Sequence, residues 1–155
     1  MSGKWMLVVD DDPDHAFLAT RVIAQHDPMI AVEICETGAE AVRVLEMSPD
    51  ACPLAIFVDI GLHNENGLML IDRIRKLEGC SRVPIAVLTA SANDETRIEA
   101  LLLEASAYIC KPLTAARLQA MLQGKGFHWD MRDLPADLAR YHRRRRERDS
   151  QGDGA

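Results

Sequence analysis

Five short apolar runs, each stopping at a polar residue and each followed by an amphipathic stretch, constrain what this chain can fold into. Trp5–Val9 (WMLVV) stops at Asp10-Asp11-Asp12. Pro53–Val58 stops at Asp59, Val83–Leu88 at Thr89, and Ala107–Cys110 at Lys111-Pro112. Continuous apolar runs of this length suit strands of a parallel sheet covered on both faces. The remaining run, Ile30–Cys35, alternates only weakly, which suits a strand nearer an edge.

The stretches between the runs carry helix signals. Asp12 followed by Pro13 reads as an N-cap with proline at the first helical position. Phe17, Ala19, Val22 and Ile23 supply the expected apolar face. Thr37-Gly38-Ala39-Glu40 has the capping-box spacing, with Ala41, Val42 and Leu45 repeating behind it. A third helix is expected over Leu68–Leu77, with Leu70, Ile71, Ile74 and Leu77 on one face. Asn93 is a cap for a fourth, carrying Ile98, Leu101, Leu102 and Ala105. Thr114 is a cap for a fifth, carrying Leu118, Met121 and Leu122.

This alternation predicts an α/β fold: a (βα)5 doubly wound parallel five-stranded sheet with helices on both faces and right-handed connections. With 155 residues, 48% of them apolar, the chain suits one domain and a modest tail. We expect the domain over residues 1–123 and the tail over 124–155. No stretch approaches the ~20 apolar residues that span a bilayer, and Met1–Trp5 has no long apolar core of a signal peptide. The expected compartment is the cytoplasm. The four cysteines, Cys35, Cys52, Cys80 and Cys110, are irregularly spaced. That argues against a zinc site or a disulfide framework. Cys35 and Cys110 end apolar runs, as buried small hydrophobes do.

Net charge is −6 and uneven: residues 1–123 hold ten basic and eighteen acidic side chains, residues 124–155 eight basic and six acidic. The acidic body argues against specific nucleic-acid binding.

Parallel α/β sheets bind ligands beyond the carboxyl ends of their strands. There the chain places Asp10-Asp11-Asp12, Asp59, Thr89 and Lys111. A helix cap accounts for Asp12, but not for further carboxylates meeting Asp59 if the two strands are neighbours. Carboxylates crowded together need a cation or raised pKa values. Hard oxygen ligands suit Mg2+ or Mn2+. Lys111 adds an opposite charge and Thr89 a hydroxyl for an oxyanion. A nucleophilic carboxylate, an ion, a cation and a hydroxyl together suit phosphoryl transfer.

At VVDDD (Val8–Asp12), FVDIGLHNENG (Phe57–Gly67), LTA (Leu88–Ala90) and YICKP (Tyr108–Pro112) the sequence resembles the receiver domain of two-component response regulators, over about residues 4–123. The resemblance implies the flavodoxin-like strand order 2-1-3-4-5. It implies Asp59 as phosphoacceptor and metal ligand, Asp11 as a direct ligand, and Asp10 acting largely through water. Gly61 would offer its carbonyl to the ion. Thr89 would bind the phosphoryl oxygen, Lys111 would pair with the phosphate, and Tyr108 would be a switch aromatic moving with Thr89. It also implies a sensor histidine kinase as partner, and phosphorylation and dephosphorylation in place of enzyme turnover. Output would run through protein contacts.

The sequence departs from that pattern at three places. His63 stands where proline is usual, Asn66 where aspartate is common, and Ala105-Ser106-Ala107 lacks the usual glycine before Tyr108. Asn66 remains a cap for the third helix. Gly61 and Ser91 occupy positions where such domains tune dephosphorylation. Both are small, so water is expected to reach the acyl phosphate.

In the tail, Gly124-Lys125-Gly126 is a breaker, Phe127 and Trp129 are apolar, and Ala136–Arg148 is a helix candidate ending in Arg143–Arg146. That arginine run reads as a solvated helix end. FHWDMRDLP (Phe127–Pro135) is weakly similar to the tail of small regulators paired with bacteriophytochrome-type histidine kinases. Such regulators dimerise through the fourth helix, fifth strand, fifth helix and tail. Competing functions fit these residues less well, nucleic-acid binding through the Arg143–Arg146 run being disfavoured by the acidic body. A haloacid-dehalogenase-like phosphatase needs an aspartate two residues after its nucleophile, where this chain has Gly61. A pseudo-receiver serving only as a binding module would lack Asp59, an acidic-pair member or Lys111.

Overall fold

The computed structural model describes residues 3–48, 50–62, 65–90, 100 and 105–123. Five strands, β1 (Trp5–Val9), β2 (Ala31–Cys35), β3 (Ile56–Asp59), β4 (Ile85–Thr89) and β5 (Ala107–Cys110), form one parallel sheet in the order β2-β1-β3-β4-β5. This is the doubly wound, flavodoxin-like order that the resemblance implies. The helices are α1 (Pro13–His26), α2 (Gly38–Glu46), α3 (Gly67–Arg75) and α4 (Ala115–Leu122). The last corresponds to the fifth helix expected from sequence. The expected fourth helix falls outside the described residues, apart from the buried Ala100 and Ala105. So do His63, Ser91 and the whole of 124–155.

Strand side chains point to alternate faces, and this builds two cores. Trp5, Leu7, Val9, Ile56, Val58, Ile85 and Val87 pack with α2 and α3. Met6, Val8, Phe57, Ala86, Leu88, Ala107 and Ile109 pack with Ala16, Ala19 and Ile23 of α1 and with Leu118 and Met121 of α4. Burial on both faces explains why four of the runs are continuously apolar. β2 lies at the edge, and most of its residues are open to solvent. This is why its pattern is weak.

Local chemistry sets the helix starts. Asp12 caps α1, accepting from the N–H of Asp14 and His15, with Pro13 at the first position. Thr37 caps α2 by accepting from Glu40 N–H, while Glu40 reaches back to the N–H of Glu36 at 3.2 Å. Asn66 caps α3 by accepting from Leu68 N–H at 2.9 Å. Thr114 caps α4. Each supplies an acceptor to a helix-end amide that has no partner within the helix.

Several expectations need correction. Phe17 is 62% exposed, because α1 buries the small residues Ala16 and Ala19 together with Ile23 against the sheet. Cys110 is exposed, whereas Cys35 is buried as expected. β3 begins at Ile56 and not at Pro53, and β4 at Ile85 and not at Val83. No helix among the described residues is long and apolar enough to cross a membrane.

Candidate functional site

Alternation in the strands also sorts the polar strand ends. One residue beyond β1, Asp10 continues the face of Met6 and Val8, and its N–H still donates to Cys35 O at 3.0 Å. Asp59 continues the face of Phe57. Lys111 continues the face of Ala107 and Ile109, and its N–H donates to Thr89 O at 2.7 Å. Asp10, Asp59 and Lys111 therefore emerge on the α1 side of the sheet. Thr89 and Tyr108 lie on the other face, where Tyr108 packs against the α2–α3 core.

The three residues on the α1 side meet. Lys111 Nζ lies 2.9 Å from Asp10 Oδ2 and 3.3 Å from Asp59 Oδ2. The side chains of Lys111, Asp10 and Asp59 are 11%, 1% and 10% exposed. Asp11 is half-buried beside them. Carboxylate oxygens of Asp10, Asp11 and Asp59 all lie within 4.8 Å of one another. The two turns hold the carboxylates in place: Asp12 N–H donates to Asp10 Oδ1 at 2.9 Å, and Gly61 N–H donates to Asp59 Oδ1 at 3.0 Å. Thr89 is buried at the end of β4. The peptide bond from Lys111 to Pro112 is cis.

Electrostatics of the cluster follow from burial. Desolvation first, and the neighbouring Asp59 charge among the lesser causes, pushes the Asp10 carboxyl above its ordinary value, against the opposing pull of Lys111 and the Asp12 amide. For Asp12, desolvation pushes upward but is outweighed by the amides of Asp14 and His15 together with the Lys111 charge, so its carboxyl titrates low. Three carboxylates against one ammonium leave two negative charges to be neutralised. A hard divalent cation with oxygen ligands fits both that charge and that donor set.

The cluster opens on a cleft of about 590 Å3, lined by Asp11, His15, Asp59, Gly61, Thr89, Ala90 and Lys111 among others. A second, more apolar pocket of about 340 Å3 adjoins it through His15, Ala90 and Lys111, with Leu18, Leu88 and Leu113 forming its walls. The structure thus brings together Asp10, Asp11, Asp59, Gly61, Thr89 and Lys111 at one opening, and sets Tyr108 on the far face of β5.

Two participants were not anticipated. His15, in the first turn of α1, lies with Nδ1 2.8 Å from Lys111 Nζ. Glu65 Oε2 accepts from Gly38 N–H at 2.8 Å, tying the turn after Asp59 to the start of α2. The available signal for His15 was its position: a polar residue on the first turn after an acidic strand end faces the neighbouring strand ends. Glu65 carried no such signal.

A family model of the response regulator receiver domain matches residues 6–123. The chain is 31% identical over 118 residues to an uncharacterized 14.6 kDa protein in the sodA1 3' region of Leptolyngbya boryana, covering 76% of this chain and 86% of that one. It is 34% identical over 119 residues to the acid tolerance regulatory protein ActR of Rhizobium meliloti, covering 77% of this chain but only 58% of ActR. Among solved structures it is similar, with a TM-score of 0.70 and 27% identity over 84% of this chain and 72% of the other, to a response regulator protein from Burkholderia pseudomallei. That crystal structure contains a phosphorylated aspartic acid, a calcium ion and citrate.

Proposed function

The chain belongs to the response regulator receiver domain family of two-component signalling, and on that premise we propose that Asp59 accepts a phosphoryl group from a sensor histidine kinase. The observation that carries the reading is Lys111 Nζ, 3.3 Å from the Asp59 carboxylate and 2.9 Å from Asp10. An ammonium held there neutralises charge beside the attacking oxygen and pairs with the incoming phosphoryl oxygens. In the transfer, the nitrogen–phosphorus bond of the donor imidazole breaks as an Asp59 oxygen–phosphorus bond forms. Positioning and charge stabilisation supply most of such catalysis.

Asp10, Asp11, Asp59 and the Gly61 carbonyl are the groups that would hold Mg2+ or Mn2+. A bound ion would offset charge on the phosphoryl oxygens. Thr89 would receive a phosphoryl oxygen and pass the change to Tyr108 across β4 and β5. The pairing of Val87 with Tyr108 and of Thr89 with Cys110 makes the two side chains near neighbours. The calcium ion and phosphorylated aspartate of the Burkholderia protein support this assignment.

Residues 1–123 would form the receiver and 124–155 a tail. The domain would act as a stand-alone signalling module with output through protein contacts. The Leptolyngbya relative, matched over 86% of its length, supports that organisation. A partner kinase that draws on ATP would put the protein in the cytoplasm. The phytochrome-type kinase and the tail-assisted dimer rest on residues beyond the described ones.

Incubation with Mg2+ and acetyl phosphate, read by intact mass, tests the assignment. We expect one phosphoryl adduct on the wild type and none on Asp59→Asn. An adduct on both proteins removes Asp59 as the acceptor.

A further inference from the structure

An ammonium carries three N–H donors, and Lys111 has three partners around Nζ: Asp10 Oδ2 at 2.9 Å, Asp59 Oδ2 at 3.3 Å and His15 Nδ1 at 2.8 Å. The imidazole nitrogen is the nearest of the three. With Lys111 charged, this contact is a hydrogen bond only when His15 carries its proton on Nε2 and offers the Nδ1 lone pair. The same Nδ1 lies 3.5 Å from Asp12 Oδ2, where a protonated nitrogen would donate instead. The shorter contact is the one to Lys111.

Local structure fixes the ring there. The Asp12 carboxylate accepts from both Asp14 and His15 N–H, at 2.9 and 3.4 Å, and Pro13 sets the first helical residue. These bonds orient the first turn of α1 so that the His15 side chain reaches across to the end of β5.

We propose that His15 is a positioning residue for Lys111. The inference rests on the assignment of Asp59 as phosphoacceptor and deepens it. Held by two carboxylates alone, the ammonium settles between Asp10 and Asp59 and competes for the oxygens that a divalent cation needs. The imidazole takes one N–H and holds Nζ toward α1, leaving one donor for Asp10 and one for the Asp59 carboxylate or the phosphoryl oxygens it would carry.

Three variants test this: His15→Leu, which removes the acceptor; His15→Gln, whose side-chain carbonyl restores one; and His15→Lys, which places a fixed cation beside Lys111. One readout needs no phosphorylation. The chain has four lysines, so side-chain NMR of labelled lysine resolves the Lys111 signal, assigned with Lys111→Arg. We expect His15→Leu to move that signal and His15→Gln to bring it back. Phosphoryl uptake from acetyl phosphate is expected to fall about fivefold to tenfold in His15→Leu, the worth of about one hydrogen bond. It should fall further in His15→Lys and recover in His15→Gln. A Lys111 signal unmoved by His15→Leu overturns the proposal, as does failure of His15→Gln to recover either readout. Phosphorylation of Asp59→Asn would instead bring down the acceptor assignment while leaving the Lys111 signal test intact.

Discussion

Lys111 and Asp10 meet at 2.9 Å at the carboxyl edge of the sheet, the lysine side chain 11% exposed and the aspartate 1%. A nearly buried carboxylate without its ammonium is left facing Asp59 with little solvent to screen either charge. Removing one partner of a buried pair costs about 3 kcal/mol or more. Lys111→Met should therefore lower the metal-free protein's unfolding free energy by about that amount in urea denaturation. Mg2+ should raise the melting temperature of the variant more than that of the wild type. A variant as stable as the wild type without metal would mean that the pair contributes nothing.

The second prediction concerns pH. Burial first, and the Asp59 charge among the lesser causes, raises the Asp10 carboxyl above its ordinary 3.8. A carboxyl raised on folding favours the protonated form in the folded state. Its stabilising contribution is present below 3.8 and is lost as pH rises through the raised value. At neutral pH the ionised Asp10 is thus a cost to the metal-free fold, which a bound divalent cation would relieve. Mg2+ affinity measured by calorimetry should fall as pH drops from neutrality through the raised Asp10 value. Asp10→Asn should weaken binding at neutral pH and flatten this dependence. Affinity that stays constant over that window would contradict the assignment of Asp10 to the ion.

Much of the site was legible because parallel strands deliver their ends to one edge. Once Asp10, Asp59, Thr89 and Lys111 were read as strand ends, the sheet had to bring them near one another. Helix caps at Asp12, Thr37, Asn66 and Thr114 were legible for a similar reason, since each depends on a few consecutive residues. Side-chain contacts between elements were not. The bond from His15 to Lys111 depends on how α1 leans over β5, and apolar periodicity does not encode that angle. Phe17 misled because hydrophobicity marks what α1 prefers to bury, whereas close packing on the sheet selects the smaller Ala16 and Ala19. The edge position of β2 was readable from its weak pattern. The start of β3 was not, because Pro53 and Leu54 are as apolar as the strand that follows them.

Gly67 is required by close approach of the backbone, with no positive φ involved. A Cβ there would collide with the Asp59 carbonyl oxygen and lie 2.8 Å from Ile60 Cα. Both are main-chain atoms that cannot swing aside. Overpacking of this kind costs about 1–3 kcal/mol. Gly67→Ala should lose about that much stability and also weaken Mg2+ binding, because the shift falls on Asp59, the proposed acceptor. Gly38→Ala is the control: its Cβ meets chiefly the flexible end of Glu65, so calorimetry should show Mg2+ binding close to wild type. Equal losses of metal affinity in the two variants would show that the effect does not run through Asp59.

If Asp59 carries a phosphoryl group as proposed, the space at Gly61 should affect how long that group survives. A Cβ at this position has the Asp59 Oδ1 atom at 3.6 Å as its nearest neighbour, an ordinary contact, so a side chain fits without moving the backbone. Gly61 also lines the cleft beside Asp59. A long side chain there would cover the acyl phosphate and hinder water from reaching phosphorus along the line opposite the Asp59 oxygen. Gly61→Arg should fold with stability within about 0.5 kcal/mol of the wild type, as expected for a substitution at an exposed surface position. Its phosphoryl adduct, followed by intact mass after removal of the donor, should decay several-fold more slowly. An arginine also brings a cation to the cleft, so Gly61→Met separates cover from charge. Slower decay in both variants identifies shielding from water as the cause. An unchanged decay rate in both would show that access at residue 61 does not limit hydrolysis.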